Sequence, residues 1–315
     1  MITLADVHAA AARIGKGIRK TPMMLAAPVR QAIAPGAEVW LKLECLQVTG
    51  SFKARGALSK LSSLSPAEIA RGLVTASGGN HGIAVAYAGG QAGVPTNVFV
   101  PKGVSPAKAR KIEYYGAKLE VVGEVWDEAN RAALALAETG VTYVHPFADP
   151  AVMAGQGTIA LEILDELPDI DTLIVAIGGG GLIAGMAVAA RAIKPDLKII
   201  GVEPTGAPTL HAALAAGHVV KLPRITTKVP TLAAGKTEQV NFDIIRRHVS
   251  EVVLIEDSDM DDACRWLWRE MNISADPSGA ACVAALLTGR IRPAPGSRVA
   301  TLVCGAGPEG AELGR

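Results

Sequence analysis

The segment that most constrains the fold is an apolar strand followed directly by four glycines and an apolar helix. The strand occupies residues 171–177, the glycines are residues 178–181, and the helix continues to Ala190. A continuous run of Leu, Ile and Val indicates a strand buried on both faces, as in a parallel sheet. The glycines let the chain turn sharply and leave bare N–H groups at the positive end of a helix, where anions bind. The segment therefore predicts a phosphate site in an α/β fold.

A purely structural turn and a membrane-spanning helix are the alternatives for this segment. Residues 173–190 carry no charge and are nearly long enough to cross a bilayer. Four adjacent glycines would interrupt such a helix, and the flanking sequence alternates between strand and helix patterns. We therefore expect no membrane as a partner.

Composition narrows the class of protein. Half of the 315 residues are hydrophobic, and 31 Lys and Arg balance 30 Asp and Glu without a basic run. This balance argues against nucleic acid as a partner. The four cysteines, Cys45, Cys264, Cys282 and Cys304, lack the spacing of a zinc site or a disulfide framework. Because the N-terminus also lacks signal-peptide features, we expect a cytoplasmic enzyme.

Strand and helix patterns alternate along most of the chain, which predicts parallel sheets covered by helices on both faces. In such sheets ligands collect at the carboxyl ends of the strands. The positions that lie at or just beyond predicted strand ends are Lys53, Asn80, the four glycines, Glu203 and Cys304.

Two segments bring chemically useful groups to these ends. Ser51 can cap a helix that places Lys53 in its first turn, where the positive helix end should lower the pKa of the amine. The loop after the strand at 72–77 offers donors for an anion such as a carboxylate. Its residues are Ser77, Gly78, Gly79, Asn80 and His81. Position alone leaves open an ordinary surface lysine and a merely hydrogen-bonding histidine.

Two ligands compete for the glycine run. Residues 179–184 fit the dinucleotide fingerprint G-x-G-x-x-A, and Glu203 follows at a distance suited to a ribose hydroxyl, which would indicate a nicotinamide oxidoreductase. That interpretation leaves Lys53 and the loop at 77–81 unexplained. Pyridoxal phosphate, a small phosphorylated cofactor that forms an imine with a lysine, uses all three features together.

Seven short motifs occur in order along the chain. They are TGSFKARGA at 49–57, SGGNHG at 77–82, HPF at 145–147, AGQGT at 154–158, GGGGL at 178–182, GVEP at 201–204 and Cys304-Gly305. Together they resemble the threonine/serine dehydratases, or threonine ammonia-lyases, of the fold-type II pyridoxal-phosphate enzymes over nearly the full length.

The resemblance implies an architecture. The fold would be α/β and tryptophan synthase beta-like, with two open, mostly parallel twisted sheets flanked by helices. Residues 1–70 and 149–315 would form a large cofactor-binding domain, and residues 71–148 a small inserted α/β domain. The family also implies a homodimer. Because the sequence ends soon after Cys304, we expect no effector-binding domain and no isoleucine feedback through one.

The resemblance also implies site residues. Lys53 would hold pyridoxal 5'-phosphate covalently, with Phe52 against its ring. Asn80 would hydrogen-bond the ring hydroxyl, and Cys304 would face the pyridine nitrogen. The phosphate would be bound by the amides of Gly178, Gly179, Gly180, Gly181 and Leu182. The substrate carboxylate would be bound by Ser77, Gly78, Gly79, Asn80 and His81.

The implied reaction is β-elimination from L-threonine or L-serine, with the Lys53 amine as base and a 2-oxo acid and ammonia as products. A thiol at Cys304 is a poor proton source for the pyridine nitrogen. The cofactor would then be a weaker electron sink, which favours elimination over a long-lived carbanion. An amino-acid racemase, or another elimination or replacement enzyme of this fold, is the alternative.

Four departures from the family pattern narrow the choice. Gly78 stands where racemising members usually carry a hydroxyl, so we expect little racemase activity. Thr209 stands where those relatives have a cation-binding carboxylate, and residues 232–235 lack the usual Asp before glycine. We therefore expect no metal site. His81 after Asn80 favours a dehydratase over a sulfhydrylase.

Overall fold

The computed structural model describes residues 1–306, so residues 307–315 of the predicted large domain lie outside the described part. The first elements in the chain are α1 (Leu4–Ile14), β1 (Met23–Leu25), β2 (Glu38–Lys42), a 3-10 turn (Glu44–Leu46), α2 (Lys53–Leu61) and α3 (Pro66–Arg71).

A regular alternation of strands and helices follows. Its elements are β3 (Leu73–Ala76), α4 (Asn80–Ala92), β4 (Thr96–Val100), α5 (Pro106–Tyr114), β5 (Lys118–Val121), α6 (Trp126–Ala137) and β6 (Thr142–Tyr143).

The remaining described elements begin with a long helix. They are α7 (Pro150–Glu166), β7 (Thr172–Ala176), α8 (Gly181–Ile193), β8 (Lys198–Pro204), α9 (Thr209–Ala216), α10 (Gln239–His248), β9 (Glu251–Ile255), α11 (Asp257–Met271), α12 (Pro277–Leu287) and β10 (Arg298–Leu302).

The strands form two open sheets. One has six strands in the order β1-β2-β10-β7-β8-β9, and the other has four in the order β5-β4-β3-β6. Every neighbouring pair is parallel except β1 with β2. The predicted fold class is therefore confirmed. All strands of the smaller sheet lie within the segment 71–148, although the domain boundaries themselves stay a prediction.

The central strand β7 and the helix α8 explain why the glycine run constrains the fold so strongly. Every residue of β7 is buried, and α8 is buried from Gly181 to Ala190. Strand β7 lies between β10 and β8, and α8 packs along α7. No helix among residues 1–306 is long and apolar enough to cross a membrane.

Two local expectations differ from the structure. Ser51 does not cap α2, because Phe52 occupies the N-cap position and no side chain caps the helix. The backbone of Ser51 pairs instead with Gly305 in an isolated bridge, and its buried hydroxyl has no partner among the described residues. The stretch from His218 to Asn241, whose Pro and Thr residues predict an irregular surface loop, already contains the start of helix α10 at Gln239.

A buried ion network fixes α2 beneath the predicted site. Arg55 Nη2 lies 2.7 Å from Glu44 Oε1, and Arg55 Nη1 lies 2.7 Å from Glu162 Oε1. Lys42 Nζ also reaches Glu162, at 2.7 Å. The side chains of Lys42, Glu44 and Arg55 have no exposed surface. Because Arg55 follows Lys53 by two residues, the network sets where the first turn of α2 lies.

We expect Arg55→Met to lower the free energy of unfolding by about 3–5 kcal/mol, because it leaves Glu44 buried without its ion partner. Urea denaturation measures this change. The matched control is Lys102→Met, which breaks an exposed pair with Glu124 and should cost at most about 1 kcal/mol. Equal losses in the two variants would contradict a special role for the buried network.

Candidate active site

Lys53 lies where the two sheets meet. Phe52 donates its amide to the carbonyl of Cys304 at 3.1 Å, which brings the start of α2 to the carboxyl end of β10. Lys53 Nζ donates to the carbonyl of Pro146 at 2.6 Å and lies 5.1 Å from the centre of the Phe52 ring. The predicted position of Lys53 at a strand end is thus observed.

Burial lowers the pKa of the Lys53 amine to about 8. A lowered pKa of this amine is what the sequence predicted, and its largest cause is burial away from water. A substantial fraction of such an amine is neutral near pH 8 and available as a nucleophile or base.

The glycine loop connects β7 to α8, as predicted. Gly180 has φ +94°, a left-handed conformation that only glycine adopts freely. A Cβ on Gly179 would collide with the Phe147 ring, and one on Gly181 would collide with the Phe147 carbonyl. The loop therefore needs glycine for a close approach as well as for its backbone angles.

Five successive amides of this loop have no hydrogen-bond acceptor within residues 1–306. They belong to Gly178, Gly179, Gly180, Gly181 and Leu182. Because they lie at the N-terminus of α8, the helix dipole adds to their partial positive charge. The loop therefore offers an anion site of the kind that holds a phosphate.

The loop at 77–81 provides a second set of bare donors, at the start of α4. Gly79 donates its amide to Ser77 Oγ at 3.3 Å, and α4 begins at Asn80 without a side-chain cap. The amides of Gly78, Asn80 and His81 have no acceptor in the described part of the chain. A carboxylate is an anion small enough for such a turn.

His81 is a neutral member of this loop. Its Nε2 lies 3.0 Å from the carbonyl of Val144, so Nε2 carries the proton and donates it. Burial, with the charge of Lys53, lowers the pKa of His81 to about 3. Its Nδ1 is buried and has no partner among the described residues. The side chain is therefore an acceptor in this site rather than a source of positive charge.

Asn80 and Cys304 lie close to an acidic residue that the sequence analysis missed. Asn80 Nδ2 donates to Asp276 Oδ2 at 3.4 Å, and Asp276 Oδ1 accepts the Gly279 amide at 2.6 Å as the N-cap of α12. The Asp-Pro pair before an Ala-rich helix is the pattern that could have identified this cap.

Cys304 is a neutral thiol. Its Sγ donates to the carbonyl of Ser278 at 3.4 Å, and burial raises the pKa of the thiol well above its ordinary value. A group in this state can share a hydrogen bond with a ring nitrogen but does not protonate it readily.

The segment 145–147 covers the glycine loop. His145 Nδ1 accepts the amides of Phe147 and Ala148 at 3.2 and 2.9 Å, which holds the segment in a tight turn. Burial lowers the pKa of His145 to about 4, so the ring is neutral. The turn places the Pro146 carbonyl at Lys53 and the Phe147 ring at Gly179.

Glu203 has a structural partner. It is fully buried, and its two oxygens accept the amides of Leu210 and His211 at 2.8 and 2.9 Å, in the first turn of α9. Burial raises the pKa of this carboxyl to about 8. Within residues 1–306 there is no group of three His, Cys, Asp or Glu side chains placed to hold a metal ion.

The donor set fits pyridoxal phosphate. The amine of Lys53 is neutral enough to attack a carbonyl, the five bare amides suit a phosphate, and the neutral thiol of Cys304 suits a pyridine nitrogen. The glycine loop leaves no space for side chains between these amides and the Phe147 turn.

Comparison with known proteins agrees with this fit. The family model described as pyridoxal-phosphate dependent enzyme matches residues 14–305. The L-threonine ammonia-lyase of Geobacter sulfurreducens is 40% identical over 96% of this chain and 75% of its own length. The L-threonine ammonia-lyase of Thermotoga maritima is 38% identical over 91% of this chain and 71% of its own length. The solved structure of maize serine racemase superposes with a TM-score of 0.92 at 31% identity, over 96% of this chain and 93% of its own.

We expect the rate at which pyridoxal phosphate attaches to Lys53 to rise with pH through about 8, because only the deprotonated amine attacks the carbonyl. The full chain freed of cofactor is mixed with pyridoxal phosphate at a series of pH values, trapped with borohydride and mapped by peptide mass.

Lys53→Arg is the control and should give no adduct in the peptide that contains residue 53. A midpoint near the ordinary lysine value of about 10.4, or labelling spread over surface lysines, would contradict the assignment.

Proposed function

This chain belongs to the pyridoxal-phosphate dependent enzymes, and we propose that it is an ammonia-lyase that converts L-threonine and/or L-serine to a 2-oxo acid and ammonia by β-elimination. Its cofactor is pyridoxal 5'-phosphate. The observation that carries the proposal is the buried amine of Lys53, with its pKa near 8, in a fold that also offers two separate sets of bare amides. The L-threonine ammonia-lyases of two bacteria support the choice of substrate class.

The proposal assigns the first set of amides to the cofactor phosphate. Gly178, Gly179, Gly180, Gly181 and Leu182 bind it, and Lys53 holds the cofactor covalently. Phe52 lies against the ring, Asn80 donates to the ring hydroxyl and Cys304 faces the ring nitrogen. Asn80 has a second amide proton for this purpose while the first is held by Asp276.

The substrate carboxylate is bound in the loop formed by Ser77, Gly78, Gly79, Asn80 and His81, where the bare amides are those of Gly78, Asn80 and His81. This contact orients the substrate, and the neutral state of His81 leaves the backbone amides as the main source of positive potential. An extended substrate can then present its α-carbon to Lys53, since the helix that begins at Asn80 and the helix that begins at Lys53 pack together.

Lys53 is the base in the proposed reaction. When bound, pyridoxal phosphate supplies the electron withdrawal that makes the α-proton of an amino acid removable. Once its amine is free, Lys53 takes that proton, and a pKa of about 8 suits the task at neutral to mildly alkaline pH. The balanced outcome is one 2-oxo acid and one ammonia from each β-hydroxy amino acid, because the water lost in elimination is regained in hydrolysis.

The proposal also covers the cellular location and the oligomeric state of the protein. The four cysteines are all buried and free, which supports a reducing, cytoplasmic environment. We infer a homodimer, for which exposed apolar side chains offer a surface. Val29 and Trp268 are among the exposed apolar side chains.

A racemase is the alternative function, because the chain is similar to maize serine racemase. The surroundings of Gly78 speak against it. A Cβ at this position would lie 2.9 Å from Val104 Cγ2 and 3.6 Å from Val100 Cγ1. Apolar atoms thus border the place where a hydroxyl proton donor would have to be attached.

We expect the purified protein to form pyruvate from L-serine with little D-serine, because Gly78 has no hydroxyl and Val104 crowds that position. Chiral chromatography of the reaction measures both products. Gly78→Ser alone should leave the product ratio unchanged, whereas Gly78→Ser combined with Val104→Ala makes room for the hydroxyl. Appreciable D-serine from the natural sequence would contradict the lyase assignment.

We expect L-threonine and L-serine to yield 2-oxobutyrate and pyruvate, each with an equimolar amount of ammonia. Lys53→Ala should lower the rate by about 10²–10⁴-fold, the usual contribution of a general base. Lys60→Arg on the same helix keeps its charge near Asp149 and serves as the matched control. A colourless protein that shifts NADH fluorescence and produces no 2-oxo acid would instead indicate a nicotinamide oxidoreductase.

A further inference from the structure

Two buried polar side chains converge on one carbonyl of the glycine loop. Thr237 Oγ1 donates to the Gly179 carbonyl at 3.0 Å, and Asn241 Nδ2 donates to the same oxygen at 2.9 Å. Neither Thr237 nor Asn241 has any exposed surface. Both lie near the start of α10, outside every motif that the sequence analysis used.

The orientation of the Asn241 amide is fixed by its surroundings. Its Nδ2 also donates to the Phe147 carbonyl, at 3.1 Å. A flipped amide would turn Oδ1 toward two carbonyl oxygens, which repel it. In the observed orientation Oδ1 is buried without a partner among the described residues, an arrangement that disfavours folding by itself. The fold therefore keeps the two donated bonds at the expense of one unsatisfied oxygen.

These bonds determine where the next amide points. A trans peptide directs its C=O and its following N–H to opposite sides. Because the Gly179 carbonyl faces Thr237 and Asn241, the Gly180 amide faces away from them. The left-handed Gly180 then leads into α8, whose first amides are also bare. Donors on one side of the loop thus set the direction of the amides on the other side.

The same amide couples the glycine loop to the Phe147 turn. Asn241 holds the Gly179 and Phe147 carbonyls together, while the Phe147 ring covers Gly179. Pro146 in that turn accepts the Lys53 amine. One side chain therefore connects the predicted phosphate loop with the segment that touches the lysine.

We propose that Thr237 and Asn241 are positioning residues of the phosphate site, which act through the Gly179 peptide to aim the Gly180 amide at the cofactor phosphate. This inference rests on the proposed function, in which the glycine loop binds that phosphate. We expect that losing either donor weakens recognition of the phosphate group in particular, since Thr237 and Asn241 donate to the Gly179 and Phe147 carbonyls and not to Lys53, Asn80 or Cys304.

A comparison of two cofactors tests this. Dissociation constants are measured for pyridoxal 5'-phosphate and for pyridoxal, which lacks the phosphate, with the full chain freed of cofactor. Thr237→Val and Asn241→Leu should weaken pyridoxal phosphate about tenfold or more, as expected for loss of a well-aimed hydrogen bond to a charged group. Binding of pyridoxal should change less than twofold.

Two further variants distinguish a positioning role of Thr237 from a general disturbance of the fold. Thr237→Ser keeps the hydroxyl and should bind both cofactors as the natural sequence does. Thr301→Val is the matched control, because Thr301 is fully buried and its Oγ1 donates to the Ile174 carbonyl of β7 at 3.2 Å. It removes an equivalent buried hydrogen bond away from the loop, and it should leave the ratio of the two constants unchanged.

The possible results separate the positioning role of Thr237 and Asn241 from the phosphate-binding role of the glycine loop, on which it rests. Equal weakening of both cofactors in Thr237→Val, or no weakening of either, overturns the positioning role while the natural sequence still prefers pyridoxal phosphate. If the natural sequence binds pyridoxal as tightly as pyridoxal phosphate, the phosphate role of the glycine loop fails, and this inference with it. Weaker binding of pyridoxal phosphate but not of pyridoxal in Thr237→Val, with normal binding of both in Thr237→Ser, supports the inference.

Discussion

The close approach of the Phe147 turn to the glycine loop is the constraint on which the site depends. Any side chain on Gly179 or Gly181 would collide with Phe147, so the loop can be built only from glycine. The approach leaves five amides bare on a rigid turn, and it brings the Pro146 carbonyl to the Lys53 amine. An anion site and a nucleophile therefore share one scaffold, with little freedom to move apart.

Much of this arrangement could be predicted from the sequence, since it depends on local patterns. The apolar strand at 171–177 and its glycines indicated the buried β7, the turn and α8, and the order of strands and helices indicated parallel sheets. The lysine, the loop at 77–81 and Cys304 were placed at strand ends by the same reasoning. Parallel strands bring such ends to one edge of a sheet, whatever their separation along the chain.

Contacts between distant segments could not be predicted in this way. Asp276 reaches Asn80 across nearly two hundred positions, and Thr237 and Asn241 lie about sixty positions from the Gly179 carbonyl to which they donate. The prediction that Ser51 caps α2 was wrong for the same reason, because the backbone of Ser51 pairs with Gly305, which is distant in the chain. The pKa of Lys53 is lowered as expected, but its largest cause, burial, depends on the assembled fold and could not be predicted from local sequence.

The bond between Asn80 and Asp276 links the two sheets. Asn80 begins the helix after β3 in the four-stranded sheet, whereas Asp276 begins the helix that precedes β10 in the six-stranded sheet. A ligand held by loops from both sheets contributes its binding free energy to their association. In the proposed function the cofactor is such a ligand, since it contacts Asn80 and the glycine loop, so its loss would weaken the association of the two sheets as well as remove the chemistry.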